Sequence, residues 1–230
     1  RLVARHVMKT CRRDAAVIPP PVDVHRFEPR MQKEDFYLSV SRMVPDKRIE
    51  LIVETFNATP HRKLVVIGDG PEMAAIRAKA GPNVTILGAQ PSEVVEDHLR
   101  RARAFVLAAE EDFGTVALDA QACGTPVIAF GKGEALETVV PLGDMRPTGV
   151  YFACQTVASL LGAINRFERH SGRITPAACR ANAERFSTAV FRRAFMAEVT
   201  RTIATSGGRT RVAGERLEHD LATRDIAWPG

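Results

Sequence analysis

Residues 104–130, AFVLAAEEDFGTVALDAQACGTPVIAF, place an apolar run, an acidic glycine turn, a helical stretch and a second apolar run in one short span. Ala104–Ala108 reads as a buried strand. Glu110, Glu111 and Asp112 follow it, then a turn about Gly114. The pattern from Thr115 to Ala122 is helical, and Gly124-Thr125-Pro126 leads into a further strand, Val127–Phe130. Strand, polar turn and helix in that order form the ligand edge of a parallel α/β sheet. There an anion meets free backbone N–H groups and the positive end of a helix dipole. Gly114 opens the backbone to close approach. The carboxylates around it would repel a phosphate and suit hydroxyls instead, so a ligand carrying both phosphates and sugar hydroxyls fits the stretch.

The remaining chain repeats the alternation. Short apolar runs at Phe36–Val40, Leu64–Ile67, Val84–Leu87 and Val150–Phe152 read as strands. Between them, Ile49, Ile52, Val53 and Phe56 recur at helical spacing, as do Val157, Leu160, Leu161, Ile164 and Phe167. Pro71 is expected in the first turn of a helix reaching Ala80, and Ser92 is expected to cap a helix through Arg103. A short helix is expected at 135–140, and two more at 176–185 and 188–201. The fold class that follows is α/β, a Rossmann-like parallel sheet with helices on both faces. The expected organisation is an interdomain linker within 1–30, marked by Ile18-Pro19-Pro20-Pro21, and a nucleotide-binding domain over 31–185. A crossover helix at 186–201 and a polar, disordered tail at 202–230 complete it.

Composition excludes several classes. The net charge of +5 is spread along the chain and not gathered into the basic face that nucleic acid requires, so no nucleic-acid partner is expected. No apolar stretch approaches the roughly 18–20 residues of a membrane span. Cys11, Cys123, Cys154 and Cys179 show no metal-ligand spacing, which points to inert thiols in a reducing cytoplasm. Neither GxSxG nor GxxxxGK[ST] occurs, and six scattered histidines pair with no nucleophile. Glu111 and Asp119, eight positions apart, are expected to face one cleft. Two carboxylates could serve a glycosidase, but these flank a glycine turn at a helix start. Arg42 and Lys47, just after the first strand, form a fork of donors and a point charge suited to a diphosphate, or else a solvated basic loop. Gly68-Asp69-Gly70-Pro71 reads as an ordinary turn.

Taken together, VIPPPVDVHRF, SRMVPDKRIELIVETF, VIGDGPE and EEDFGTVALDAQACGTPVIAF resemble, in order and spacing, the nucleotide-sugar-binding half of retaining GT-B glycosyltransferases of family 4. The resemblance spans about Ala16 to Arg201. It implies that Arg42 and Lys47 hold the distal phosphate and stabilise the departing nucleoside diphosphate. It implies that the backbone from Phe113 through Gly114, Thr115 and Val116 assists at phosphates and sugar. Glu111 takes the first place of the family's Glu-x7-Glu pattern, against the sugar hydroxyls and among the catalytic groups. Asp119 takes the second, against the ribose, one methylene shorter than the usual Glu; Gln90 lies where the base is contacted. The segment GKGEALETVV is similar to mannosyltransferases of bacterial surface-polysaccharide assembly, implying GDP-mannose as donor. Two further positions depart from the pattern: Arg48 and Glu134 stand where glycine is usual. With no Asp-x-Asp motif, no metal and no cofactor are expected beyond the nucleotide-sugar substrate. The acceptor, a glycan or lipid-linked molecule, would be read by an N-terminal domain near whose end this chain begins. The fragment is thus expected to be nearly inactive alone, and the whole enzyme to sit in the cytoplasm or at the cytoplasmic membrane face. Other readings are a non-catalytic nucleotide-binding module, a UDP-sugar-dependent transferase, and, on the same fold, an epimerase or phosphorylase.

Overall fold

The computed structural model describes residues 2–111 and 114–205. Six parallel strands, β1 (Tyr37–Val40), β2 (Leu64–Ile67), β3 (Val84–Gly88), β4 (Ala104–Leu107), β5 (Val127–Phe130) and β6 (Gly149–Phe152), form one sheet ordered β3-β2-β1-β4-β5-β6. This doubly wound order starts at the middle of the sheet, works outward to β3, then returns to add β4, β5 and β6 on the other side.

Strand side chains alternate between two cores. On one face Tyr37, Val66, Val106 and Ile128 pack against helix α2 (Ile49–Asn57), α3 (Met73–Lys79) and α7 (Val157–His170) through Ile52, Phe56, Ile76, Leu160, Ile164 and Phe167. On the other, Leu38, Ile67, Phe105 and Val127 meet α4 (Ser92–Arg101), α5 (Thr115–Ala122) and α8 (Pro176–Glu184) through Leu99, Leu118 and Ala183. Burial on both faces explains why the strands are short, largely apolar runs. Helix α5 is rich in alanine; Ala117, Ala120 and Ala122 are buried, which lets the chain approach it closely on several sides. Helix α1 (Leu2–Cys11), the short α6 (Ala135–Thr138) and α9 (Thr188–Thr205) complete the described elements.

Several boundaries differ from the sequence expectation. Pro91, not Ser92, takes the N-cap of α4, whose first turn has no side-chain cap, and the helix ends at Arg101. Pro71 sits in the turn ahead of α3 and not inside its first turn. Val22, Val24 and Phe27, within the stretch read as linker, are buried beside Phe186, and Val22 N donates to Phe186 O at 2.8 Å. Helix α9 runs on to Thr205; the rest of the segment read as a disordered tail lies outside the described residues. Among the described residues no helix is long and apolar enough to cross a membrane.

Candidate active site

Chain direction across the sheet reverses between β1 and β4, and ligands of such sheets sit beyond the carboxyl ends of the strands at that point. The pairing itself opens there. Tyr37 pairs with Ala104 and Leu38 with Phe105, and the register stops before Ser39 and Val40. β1 runs out into Ser41–Lys47, and β4 into Ala108–Glu111. Lys47 ends the 3₁₀ turn Pro45–Lys47, and its Nζ donates to Glu111 Oε1 at 2.9 Å across the crevice. Asp46 stands farther off, 3.7 Å from the same nitrogen. With side-chain exposures of 24% and 16%, Lys47 and Glu111 are screened less than a surface pair would be. Arg42, on the loop that follows β1, is exposed and makes no side-chain hydrogen bond or ion pair among the described residues.

The turn Gly68-Asp69-Gly70 proves to be the backing of this loop. Ser41 N donates to Ile67 O at 3.0 Å, Met43 N to Asp69 O at 2.8 Å, and Glu72 N to Met43 O at 3.1 Å. Gly68 has φ +137°, and a Cβ there would fall 1.8 Å from Ser41 O. Only a glycine lets the two backbones meet so closely. Arg48, which follows Lys47, adopts φ +54° and ψ +33°. This left-handed conformation gives a physical reason for glycine at that position, and Arg48 occupies it under strain.

Helix α5 begins at Thr115 with Gly114 as its N-cap and no side-chain cap. Thr115 is exposed and Val116 partly so, and both carry N–H groups of the first turn. Phe113, with Asp112, lies outside the described residues. The close approach expected at Gly114 is made by two side chains. A Cβ there would fall 2.3 Å from Glu111 Oε2 and 2.7 Å from Glu134 Oε1. Glu134, on the β5–α6 connection, is tied to the same loop through its own N–H, which donates to Glu111 O at 2.9 Å. Its carboxyl is only 3% exposed and neither oxygen has a hydrogen-bond partner of normal geometry. Burial pushes its pKa up to about 7; the nearby Gly114 amide and Lys47 pull down, and Glu111 and Glu137 push further up. Sequence reading marked Glu134 as a departure from pattern, but its burial depends on how the loop folds under α5.

Asp119 lies within α5 and is partly buried. Burial raises its carboxyl to about 7, and the charges acting on it are those of Arg26 and Glu96, not those of Lys47 or Glu111. Glu96 belongs to α4, whereas Glu111 is bonded to Lys47 across the β1–β4 crevice. Gln90, between β3 and α4, donates from Nε2 to Leu87 O at 2.8 Å.

The far end of α5 is held by two cations that the sequence reading missed. Lys33 Nζ donates to Cys123 O at 3.0 Å, Arg100 O at 2.8 Å and Thr125 Oγ1 at 2.8 Å, and burial lowers its pKa to about 8. Arg180 donates to Ala122 O at 3.1 Å and Phe27 O at 2.7 Å. Among the described residues no three His, Cys, Asp or Glu side chains are grouped as metal ligands.

The chain is similar to several known proteins. A mannosyltransferase of Corynebacterium glutamicum, GDP-mannose-dependent and acting on monoacylated phosphatidylinositol monomannoside, is 31% identical over 54% of this chain and 40% of its own length. A D-inositol 3-phosphate glycosyltransferase of Segniliparus rotundus is 32% identical over 51% of this chain and 32% of its own. The chain therefore spans less than half of the curated relatives it matches. Among solved structures, sucrose-phosphate synthase from Thermosynechococcus elongatus superposes with a TM-score of 0.72 at 23% identity, over 88% of this chain and 57% of that one, a likeness of fold. Residues 23–186, which contain all six strands and both walls of the crevice, match the family described as glycosyl transferases group 1, and the chain belongs to that family.

Proposed function

We propose that this chain is the donor-binding half of a retaining hexosyltransferase that takes mannose from GDP-mannose to a glycan or lipid-linked acceptor. The observation that carries the reading is the Lys47–Glu111 pair across the open β1–β4 crevice, with Arg42 exposed on the same loop as Lys47 and the uncapped start of α5 next to Glu111. The donor rests on the GDP-mannose dependence of the Corynebacterium and Mycolicibacterium relatives. An arriving diphosphate competes for Lys47 and draws it off Glu111, so the carboxylate is released to accept hydrogen bonds from the sugar hydroxyls. Cleavage of the bond between the anomeric carbon and the diphosphate oxygen leaves negative charge on the diphosphate. Arg42, Lys47 and the N–H groups of Gly114, Thr115 and Val116 stabilise that charge as preorganised positive potential, with no divalent metal called for. Asp119 and Gln90 serve the ribose and base. The acceptor is bound by the other half of the enzyme, at the cytoplasmic membrane face where a lipid-linked acceptor lies.

Calorimetry with GDP, GDP-mannose, UDP and ADP, each with and without EDTA, tests this reading. GDP and GDP-mannose are expected to bind, unaffected by EDTA. At one hundred times its Kd, the ligand should add about 2.7 kcal/mol to stability. Lys47→Ala should weaken GDP about tenfold or more. No binding by any nucleotide would sink the donor site, and a UDP preference would retire GDP-mannose.

A further inference from the structure

Glu134 is a buried carboxylate that the fold leaves without a partner, and such groups need an explanation. Its surroundings narrow the choice. The nearest cation, Lys47, is bonded to Glu111. The Gly114 amide points toward Glu134 without completing a hydrogen bond to either oxygen. The Glu111 carboxylate stands on the same side of Gly114, Oε2 lying 2.3 Å and Glu134 Oε1 2.7 Å from where a Cβ would be, so two acids close on one glycine at the start of α5. A role in holding the fold together is a poor account of this, because desolvating a carboxylate without donors is unfavourable. What the cluster lacks is a supply of hydroxyl hydrogens.

We propose that Glu134 is a specificity-determining residue for the transferred sugar, accepting hydrogen bonds from its hydroxyls next to Glu111. This selects an uncharged, hydroxyl-bearing hexose and rejects a uronic acid. The inference rests on the donor-site reading above and deepens it. A neutral sugar brings donors to both carboxylates while its diphosphate faces the helix N-terminus and Lys47. A uronate would add a third carboxylate to a site where two already repel, and like charges in a desolvated pocket are strongly unfavourable. Glycine at this position would remove the carboxylate and with it both the hydroxyl contact and the rejection.

The experiment compares the parent chain with Glu134→Ala and Glu134→Gln, titrated with GDP and with GDP-mannose. UDP, UDP-glucose and UDP-glucuronate form a second set, which carries the comparison if UDP is the base preferred. The expected result is GDP affinity within about twofold of the parent for both variants. GDP-mannose should be weakened about tenfold by the alanine and less by the glutamine, which keeps an acceptor oxygen. UDP-glucuronate, rejected by the parent, should gain affinity relative to UDP-glucose in both variants. Unchanged sugar-nucleotide affinity in Glu134→Ala overturns the proposal while leaving the donor site standing. So does an equal loss on nucleotide and sugar-nucleotide, which would make Glu134 a structural support, or an equal gain on both, which would make it an occupant of the diphosphate place. If the alanine variant does not fold, the isosteric glutamine variant decides by the same criteria. A parent that binds no nucleoside diphosphate overturns both readings together.

Discussion

Replacing Gly68 by alanine tests the idea that the β2 turn supports the cationic loop after β1. The new Cβ would stand 1.8 Å from Ser41 O and 2.9 Å from Ser41 C, where real Cβ contacts do not fall below 3.0 Å. The obstacle is backbone, so no rotamer relieves it and the Ser41–Met43 loop must be displaced by more than an ångström. Two hydrogen bonds span that joint, Ser41 N to Ile67 O and Met43 N to Asp69 O, each contributing about 1 kcal/mol net. The φ of +137° adds a conformational cost of about 1–3 kcal/mol for any residue with a side chain. The combined loss is about 4 kcal/mol, or about 10 °C in Tm for a chain of this size. The assay is a melting curve by circular dichroism, paired with GDP titration at a temperature where both proteins are folded. Gly143→Ala is the control: its φ is +118° but nothing lies within 4 Å of the added Cβ, so it carries the conformational cost alone. If Gly68→Ala melts within about 2 °C of the parent, or no lower than Gly143→Ala, the backbone contact does not hold the loop and the argument fails.

Two further outcomes follow from residues around the same loops. Arg48→Gly should raise stability by about 0.5–1 kcal/mol, because Arg48 is exposed at φ +54° without side-chain bonds and the relief of left-handed strain exceeds glycine's extra unfolded-state entropy; an unchanged or lower Tm would refute this. Glu134 should make the fold less stable as pH rises. Its folded pKa of about 7 lies above the ordinary 4.5, so the folded state holds the proton over that window while the unfolded state releases it. Stability is lost between about pH 4.5 and 7 and then levels off, for about 3 kcal/mol at most. Glu34 and Glu168, held below the ordinary value by Arg101 and Arg62, act in the opposite sense, being lost as pH falls. The readout is therefore the difference between parent and Glu134→Gln in denaturant titrations at pH 5 and pH 8. It should favour the parent at pH 5 relative to pH 8, and a pH-independent difference would contradict the burial argument.

The architecture was readable because strands buried on both faces are largely apolar runs; β2, β4 and β5 stand out most plainly, while β1 carries Ser39 and the edge strand β3 an exposed Thr85. Helix ends were less so. Ser92 has the chemistry of a cap, yet Pro91 occupies that place, a matter of backbone direction that composition does not record. Lys47 and Glu111 were each recognisable from motif order, but their contact joins positions 64 apart and follows from which strands lie side by side. Spacing placed Glu111 and Asp119 near one turn but did not record that Glu111 lies on the loop after β4 while Asp119 sits partly buried within α5. Burial of Glu134 and the seat of Lys33 at the far end of α5 arise only after helix and loops have packed.

That seat bears on how the helix acts. Lys33 and Arg180 answer carbonyl oxygens at the C-terminal end of α5, while no side chain caps its opening N–H groups. The helix is thus wired at one pole only. Its negative end is neutralised inside the protein, and its positive end is left for whatever enters the crevice. Because Lys33 donates to Arg100 O of α4, to Cys123 O and to Thr125 Oγ1, it also ties the end of α5 to α4 and to the connection leading into β5. Any displacement of the helix along its axis would have to break that anchorage, so its uncapped end is held in place from behind.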